Sequence, residues 1–225
     1  GIMMFSRFAM SLNRQQFGSD LQSLFALSIF LAIFVRTQMP AEAASATNLM
    51  SASGAQLSII NVFNTSLRLW LYQKTQSNIF SEDTIKEATF EEKCIFNKKI
   101  NISNTEYHFW RKLTINGYWL QYQYLGQFDS TSQPPVSMTV SDLTAQDKSP
   151  FENMTLVYSK SGCSVFTVFS LDEKDKKGDT SYPSDCEMYI KKKGGPINPT
   201  EDCTNAYRPY CKNETHVTYD TSCGV

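Results

Sequence analysis

Residues 106–128 decide the fold: EYHFWRKLTI (106–115), the pair Asn116-Gly117, and YWLQYQYLGQF (118–128). An Asn-Gly pair favours the positive backbone dihedrals of a type I′ turn. The flanking runs are rich in aromatic residues, which favour strands. The segment therefore predicts an antiparallel β-hairpin.

Similar strand patterns occur on both sides of this hairpin. They are RLWLYQKT (68–75), CIFNKKINI (94–102), PVSMTVSDL (135–143), NMTLVYS (153–159), GCSVFTVFSL (162–171), CEMYIKKK (186–193) and a last short run, HVTYD (216–220). A short helix is predicted from about Cys203 to Tyr210. Eight or nine short strands followed by one helix predict an all-β protein built as a closed antiparallel barrel.

The N-terminal part of the chain is predicted to be a leader with a signal peptide, residues 1–43. Its apolar run, Leu24 to Val35, is too short to span a bilayer comfortably, and Ala41-Glu42-Ala43 offers a small-residue cleavage site. Arg36 lies between these two features, so an uncleaved anchor is the alternative. Residues 44–225 are expected to form one domain that is secreted and extracellular.

The cysteines and glycosylation motifs agree with secretion. All six cysteines follow residue 93, and none forms a C-x-x-C motif, so disulfides are favoured over a zinc site or thioredoxin-like chemistry. Four N-x-S/T motifs predict glycosylation at Asn64, Asn101, Asn153 and Asn213.

Composition argues against several functional classes. The formal net charge of −1 provides no field that would attract nucleic acid or an anionic membrane. Only two histidines are present, and His108 lies within a strand pattern between aromatic residues. No hydrolase, metalloprotease, phosphate-binding or dinucleotide motif occurs. We therefore expect no catalytic residues, no metal, no cofactor and no enzymatic activity.

Alternation along the strands predicts the residues of the barrel interior. Asn153 must face solvent if it carries a glycan, so Met154, Leu156 and Tyr158 are expected to point inward. The same alternation turns Tyr107 and Phe109 inward. An eight-stranded barrel is wide enough to hold one small ligand, so core residues can also line a pocket.

Four segments together resemble the lipocalins of tick saliva, a family that includes the tick histamine-binding proteins. NTSLRLWLYQKT (64–75) is similar to their first strand and the segment before it, and GCSVFTVF (162–169) to a strand that opens with a disulfide cysteine. CEMY (186–189) resembles their Glu-Leu-Trp/Tyr strand, and EDCTNAYRPYC (201–211) with VTYDTSC (217–223) their C-terminal helix and closing cysteine. The resemblance implies an eight-stranded lipocalin-type barrel with a short C-terminal helix.

The resemblance also implies a function and a set of ligand-binding residues. The function is sequestration of small host mediators at the feeding site: an amine such as histamine or serotonin, or a lipid such as a leukotriene. The acid of the family's strand corresponds to Glu187. The expected ligand-binding set is Trp70, Tyr72, Phe109, Tyr122, Tyr158 and Glu187. Because residues 107–128 contain no carboxylate, Glu187 is expected to be the single interior acid, which favours a monoamine or an apolar ligand over histamine.

Disulfide pairing follows from the same resemblance. It implies Cys94 with Cys223 and Cys163 with Cys203, which leaves Cys186 with Cys211. Pairing between neighbouring strands, Cys163 with Cys186, is the alternative.

A second functional hypothesis is a lipocalin scaffold that binds a host protein through its loops while side chains fill the interior. In either case the mature protein is expected to be a monomer that binds neither nucleic acid nor membrane.

Overall fold

The computed structural model describes residues 56–81, 88–171, 185–191, 193–195 and 197–224. The predicted signal peptide, residues 1–43, lies outside the described residues, so its cleavage stays a prediction. The described elements are α1 (Ile59–Phe63), β1 (Leu69–Lys74), β2 (Ile79–Ser81), β3 (Thr89–Ile102), β4 (Glu106–Ile115), β5 (Tyr118–Phe128), β6 (Ser137–Asp142), β7 (Pro150–Lys160), β8 (Cys163–Ser170), β9 (Asp185–Lys191), α2 (Glu201–Tyr207), β10 (His216–Val217) and a 3₁₀ turn (Thr221–Gly224).

Eight of these strands close into an antiparallel barrel. Their order around the barrel is β1, β9, β8, β7, β6, β5, β4 and β3, and β3 pairs back with β1. β2 and β10 extend the sheet at β3 and β1, and α2 lies outside the barrel against β7 and β8. The predicted all-β fold, an eight-stranded antiparallel lipocalin-type barrel with a short C-terminal helix, is confirmed.

The hairpin at residues 106–128 has the predicted bounds. β4 and β5 pair in register from Glu106 opposite Gln127 to Ile115 opposite Tyr118. Asn116 and Gly117 have φ angles of 48° and 86°, as a type I′ turn requires. The last predicted strand, 216–220, is shorter than expected, since β10 contains two residues.

A short helix covers one end of the barrel. The Ser58 side chain accepts a hydrogen bond from the backbone N–H of Asn61 at 3.4 Å and so caps α1. Ile59, Val62 and Phe63 of this helix are buried. The Phe63 ring stacks on interior rings of β4 and β8, so this end of the barrel is closed.

Buried side chains form two clusters, one on each face of the barrel wall. The inner cluster fills the barrel; its aromatic members include Phe63, Tyr107, Phe109, Tyr124 and Phe166. The outer cluster lies between the wall and the C-terminal segment; it contains Trp70, Phe96, Tyr158, Tyr207 and all six cysteines. Because the C-terminal segment covers part of the outer wall, outward-pointing aromatic side chains there are also buried.

Three disulfides lie in the outer cluster: Cys94–Cys223, Cys163–Cys203 and Cys186–Cys211. These are the two pairs that the family resemblance implies and the third pair that they leave, and the alternative Cys163–Cys186 bond is not formed. The bonds join β3, β8 and β9 to the C-terminal segment, with Cα–Cα distances of 5.0, 6.2 and 5.6 Å. They hold that segment against the barrel wall.

Candidate functional site

The barrel interior has an apolar half and a charged half. In the apolar half, at the α1 end, Phe63 stacks on Tyr107 with centroids 4.6 Å apart, and Tyr107 stacks on Phe109 at 4.5 Å. Phe63 also contacts Phe166 at 5.5 Å. All four rings are at most 1 % exposed, so aromatic side chains fill this half.

The charged half lies toward the β4–β5 turn and contains a cavity of about 60 Å³. Its lining consists of Leu71, Lys74, Gln76, Glu92, Ile95, Arg111, Leu113, Phe151, Glu152 and Glu187. Three carboxylates and two cations are therefore present, which gives a net charge of −1 when all five side chains are ionised. Each of the five is less than 10 % exposed, so water screens their interactions weakly.

Strand alternation places most of these charges. Arg111 follows the inward-facing Phe109 by two residues on β4, and Glu152 precedes Met154 by two residues on β7. Glu187 lies on β9 between the outward-facing Cys186 and Met188. A bulge in β1 between Leu71 and Gln73 shifts the alternation, so that Lys74 faces the cavity.

Arg111 is the centre of the charged half. Its Nε donates to Asn97 Oδ1 at 3.2 Å, and one terminal nitrogen donates to the Tyr189 hydroxyl at 3.1 Å. The guanidinium also lies over the Tyr124 ring, 5.3 Å from the centroid. Burial alone would lower the pKa of Arg111, but Tyr189, Glu152 and Glu187 raise it well above its ordinary value. Arg111 therefore stays charged.

The Tyr189 hydroxyl links Arg111 to Glu187. It accepts a hydrogen bond from Arg111 and donates one to Glu187 Oε2 at 2.7 Å. Burial and the adjacent carboxylates raise the pKa of Tyr189 well above its ordinary value. The hydroxyl therefore stays protonated and orients Glu187 beside the cavity.

Lys74 and Glu92 form a separate, well-matched ion pair. Lys74 Nζ lies 2.9 Å from Glu92 Oε2, and both side chains are almost fully buried. Burial raises the pKa of Glu92, but the Lys74 ammonium outweighs this effect, so the pKa lies below its ordinary value. Lys74 and Glu92 therefore neutralise each other and need no further charged partner.

Glu152 is the poorly matched charge of the site. Its Oε1 lies 3.8 Å from the nearest Arg111 nitrogen, and this oxygen has no hydrogen-bond partner among the described residues. Burial raises the pKa of Glu152 to about 7; Arg111 opposes this increase, and Glu187 adds to it. Near neutral pH, Glu152 can therefore gain or lose a proton.

Three residues of the sequence-predicted ligand-binding set lie in the interior. Glu187 lines the cavity. Phe109 is fully buried in the apolar half. Tyr122 is half-buried at the edge of the inner cluster and stacks on Tyr124 with centroids 6.4 Å apart. Only Glu187 of these three borders the charged cavity; a ligand-binding role for any of them stays a prediction.

The expectation that Trp70, Tyr72 and Tyr158 face the interior is wrong. On β1, Leu69 and Leu71 point inward, so Trp70 and Tyr72 point outward and contact Tyr219. On β7, a bulge between Leu156 and Tyr158 interrupts the alternation, and Tyr158 packs in the outer cluster. Large aromatic side chains such as these three suit the inner and the outer cluster equally well. Residue type alone therefore could not show which face of the wall they occupy.

The expectation of a single interior acid is also wrong, because Glu92 and Glu152 accompany Glu187. The sequence contained a signal for two of the missed residues. The alternation that places Met154 inward also places Glu152 inward, and the alternation that places Phe109 inward also places Arg111 inward. Lys74 and Glu92 carried no such signal, because bulges in β1 and β3 shift their alternation.

The predicted glycosylation sites are accessible. Asn64, Asn101 and Asn213 are exposed, and Asn153 is half-buried on the outer face of β7. Their glycosylation stays a prediction.

Among the described residues there is no group of three or more histidine, cysteine or acidic side chains that could hold a metal ion. No helix in this part of the chain is long and apolar enough to cross a membrane.

No family model and no curated protein matches the chain. Among solved structures, the chain is similar to Japanin from Rhipicephalus appendiculatus, in an orthorhombic crystal form bound to cholesterol, with a TM-score of 0.44. The sequences are 12 % identical, and the match covers 72 % of this chain and 97 % of Japanin. A likeness at this level gives no information about the ligand of this chain.

Proposed function

We propose that this protein is a secreted binding protein that captures a small cationic amine in the charged half of its barrel. The ammonium group would lie between Glu152 and Glu187 and form charge-assisted hydrogen bonds with them. In line with the resemblance to tick salivary lipocalins, the biological ligand would be a host amine mediator such as histamine or serotonin. The role would be to remove that mediator and so weaken host defence.

The observation that carries this proposal is the unmatched Glu152 carboxylate. A buried carboxylate whose Oε1 has no partner in the described structure is costly. Arg111 is 3.8 Å away and is already engaged by Asn97 and Tyr189. An ammonium group supplies the missing positive charge and the missing donors together.

The cavity also favours a small polar ligand over a lipid mediator. Its volume of about 60 Å³ is below the roughly 300–1,000 Å³ of common ligand pockets. The apolar half, where a long acyl chain would need to lie, is filled by stacked rings. A small amine needs a limited enlargement of the charged half, and the partly exposed Gln76 is a lining residue whose flexible side chain can move.

Secretion is part of the proposal. Three disulfides are expected of a protein that folds in an oxidising compartment. The exposed glycosylation motifs and the predicted signal peptide agree with this location. N-terminal sequencing of secreted material should give a mature chain that begins near Ala44, whereas a start upstream of Leu24 would contradict the signal-peptide prediction.

Calorimetric titration with histamine, serotonin and a leukotriene tests the ligand class. Glu187→Gln keeps the shape of the side chain and removes its charge, so it should weaken amine binding by roughly ten- to a hundredfold. Glu152→Gln should act in the same direction. Glu106→Gln is the matched control, because Glu106 lies on the barrel wall with its side chain 44 % exposed, and it should leave the affinity unchanged.

Two results would overturn the proposal. One is tight leukotriene binding without measurable binding of either amine. The other is amine binding that neither interior substitution changes, which would place the ligand outside the charged half.

One observation favours the second candidate, binding of a host protein through the loops. Tyr118 and Trp119, at the β4–β5 turn, are 78 % and 52 % exposed, and such side chains are common energetic centres of protein interfaces. If this function holds, Tyr118→Ala with Trp119→Ala should abolish capture of a host plasma protein and leave amine affinity unchanged. Capture that is equally strong with the double variant would count against it.

A further inference from the structure

An open surface groove of about 450 Å³ lies outside the barrel between β7 and α2. Its lining consists of Val157, Tyr158, Lys160, Asp202, Asn205, Ala206, Pro209 and Tyr210. We call it the outer groove. It is larger than the interior cavity of about 60 Å³ and is open to solvent.

One disulfide and one exposed ion pair connect the walls of the outer groove. The Cys163–Cys203 disulfide ties α2 to β8. Lys160 Nζ on β7 lies 2.6 Å from Asp202 Oδ2 on α2, across the groove. The disulfide holds α2 against the barrel wall, whereas the exposed ion pair adds little to this attachment.

The Tyr158 hydroxyl is the unexplained group of the groove. Tyr158 is 6 % exposed, and its hydroxyl has no hydrogen-bond partner among the described residues. The bulge between Leu156 and Tyr158 turns this side chain to the outer face, where it lines the groove. Buried hydroxyl groups almost always have a hydrogen-bond partner, so the Tyr158 hydroxyl indicates a partner that comes from another molecule.

The charges near this hydroxyl indicate which kind of hydrogen-bond partner it suits. Burial and the Asp202 carboxylate raise the pKa of Tyr158, which Lys160 opposes, so the hydroxyl is protonated at neutral pH and can donate. Lys160 and Asp202 neutralise each other, so the groove has no net charge to attract an ionic ligand. The missing partner is therefore a neutral acceptor.

The remaining lining residues indicate which kind of ligand scaffold the groove could contact. Val157, Ala206 and Pro209 provide apolar surface, and the exposed Tyr210 provides an aromatic face. Flat rings pack well against such surfaces. A ring compound could lie against these residues, and its acceptor would reach the nearly inaccessible Tyr158 hydroxyl once the flexible side chains around it shift.

We propose that the outer groove is a second ligand site, which binds a neutral planar ring compound whose carbonyl oxygen accepts a hydrogen bond from Tyr158. This site is separate from the charged half of the barrel and does not depend on the amine-binding proposal.

Two matched probes test the proposal: 1-indanone, and indane, which has the same fused rings without the carbonyl group. Each is titrated into the secreted, disulfide-bonded protein, and binding is followed by NMR signals of Ala206 and Tyr210. We expect saturable binding of 1-indanone at or below about 1 mM, as the ligand efficiency of small fragments allows. Tyr158→Phe should weaken 1-indanone binding roughly three- to tenfold and leave indane affinity unchanged.

Further variants control for folding and location. Asn205→Trp places a large side chain at the exposed rim of the groove and should block both probes, whereas Glu187→Gln should affect neither. Thermal unfolding of Tyr158→Phe verifies that the variant is folded. The proposal is overturned if neither probe binds, if the shifted signals lie outside the groove, or if Tyr158→Phe leaves 1-indanone affinity unchanged.

Discussion

The two halves of the barrel interior differ in how completely their side chains satisfy one another. In the apolar half, Phe63, Tyr107 and Phe109 stack in sequence and fill the space. In the charged half, a cavity remains, and Glu152 Oε1 and Asn97 Nδ2 have no hydrogen-bond partner among the described residues. The first arrangement is typical of a hydrophobic core, and the second is typical of a ligand-binding site.

This difference divides stability and binding between the two halves. Stacked rings gain hydrophobic and packing energy without a desolvation penalty on charges. Buried charges add little net stability even when they are paired, and they become costly when one partner is missing. The apolar half should therefore dominate the folding free energy, while under the proposed function the charged half would select the ligand.

The largest expected effect is in the apolar half. Phe109→Ala removes a fully buried ring that contacts Tyr107 and Tyr124, and it should lower the free energy of unfolding by about 3–5 kcal/mol. Denaturant unfolding measures the change. Phe169→Ala is the matched control, because Phe169 is 53 % exposed, and it should change stability by about 0.5 kcal/mol or less. Equal effects of the two substitutions would contradict the assignment of this half as the main core.

A somewhat smaller effect is expected at the centre of the charged half. Arg111→Met leaves Glu152 and Glu187 without their shared cation, and it should lower the free energy of unfolding by about 3 kcal/mol at pH 8. The loss is at the low end for a broken buried pair, because Glu152 can take up a proton. Adding Glu152→Gln to this variant should restore part of the stability.

Arg68→Met is the control for the loss of an arginine. The Arg68 side chain is exposed and lies over the Trp70 and Phe96 rings outside the barrel, so its loss should cost about 1 kcal/mol or less. If Arg111→Met costs no more than Arg68→Met, the buried charges are better hydrated than the structure indicates.

The fold could be predicted from local patterns because each strand carries its own signal. Residues 106–128 combine a turn pair with two aromatic runs, and the observed bounds of β4 and β5 agree with the prediction. The helix predicted from about Cys203 to Tyr210 is observed at Glu201–Tyr207; it begins earlier because the Thr200 side chain accepts from the Cys203 backbone N–H at 3.3 Å and caps it. Helix α1 was not predicted, because five residues carry too little periodicity to indicate a helix.

The charged half was harder to predict for two physical reasons. Bulges in β1 and β7 interrupt the alternation, which brings Lys74 inward and turns Tyr158 outward. In addition, the C-terminal segment buries part of the outer wall, so Trp70 and Tyr158 are as buried as interior aromatics. Glu187 alone was predicted to be the interior acid, and its partners Arg111 and Glu152 come from strands distant in sequence.

The smallest effect in this series concerns the pH dependence of stability. Burial raises the pKa of Glu152 from an ordinary value of 4.5 to about 7. Between these values the folded protein binds more protons than the unfolded chain, so the contribution of Glu152 is fully present below about pH 4.5 and is lost as pH rises through 7. The loss between pH 5 and 8 should be roughly 2–3 kcal/mol.

Glu152→Gln should remove this dependence, because the amide does not titrate. Denaturant unfolding of both proteins at pH 5, 6, 7 and 8 should show the variant gaining stability relative to the wild type as pH rises. Glu92 does not interfere, because its lowered pKa places its contribution at more acidic pH and with the opposite sign. The control Glu214→Gln, at an exposed position, should run parallel to the wild type across this range. Parallel curves for Glu152→Gln as well would mean that Glu152 is ionised throughout, with its charge already neutralised. The charged half would then be as well satisfied as the apolar half and would have no unmet charge for an amine.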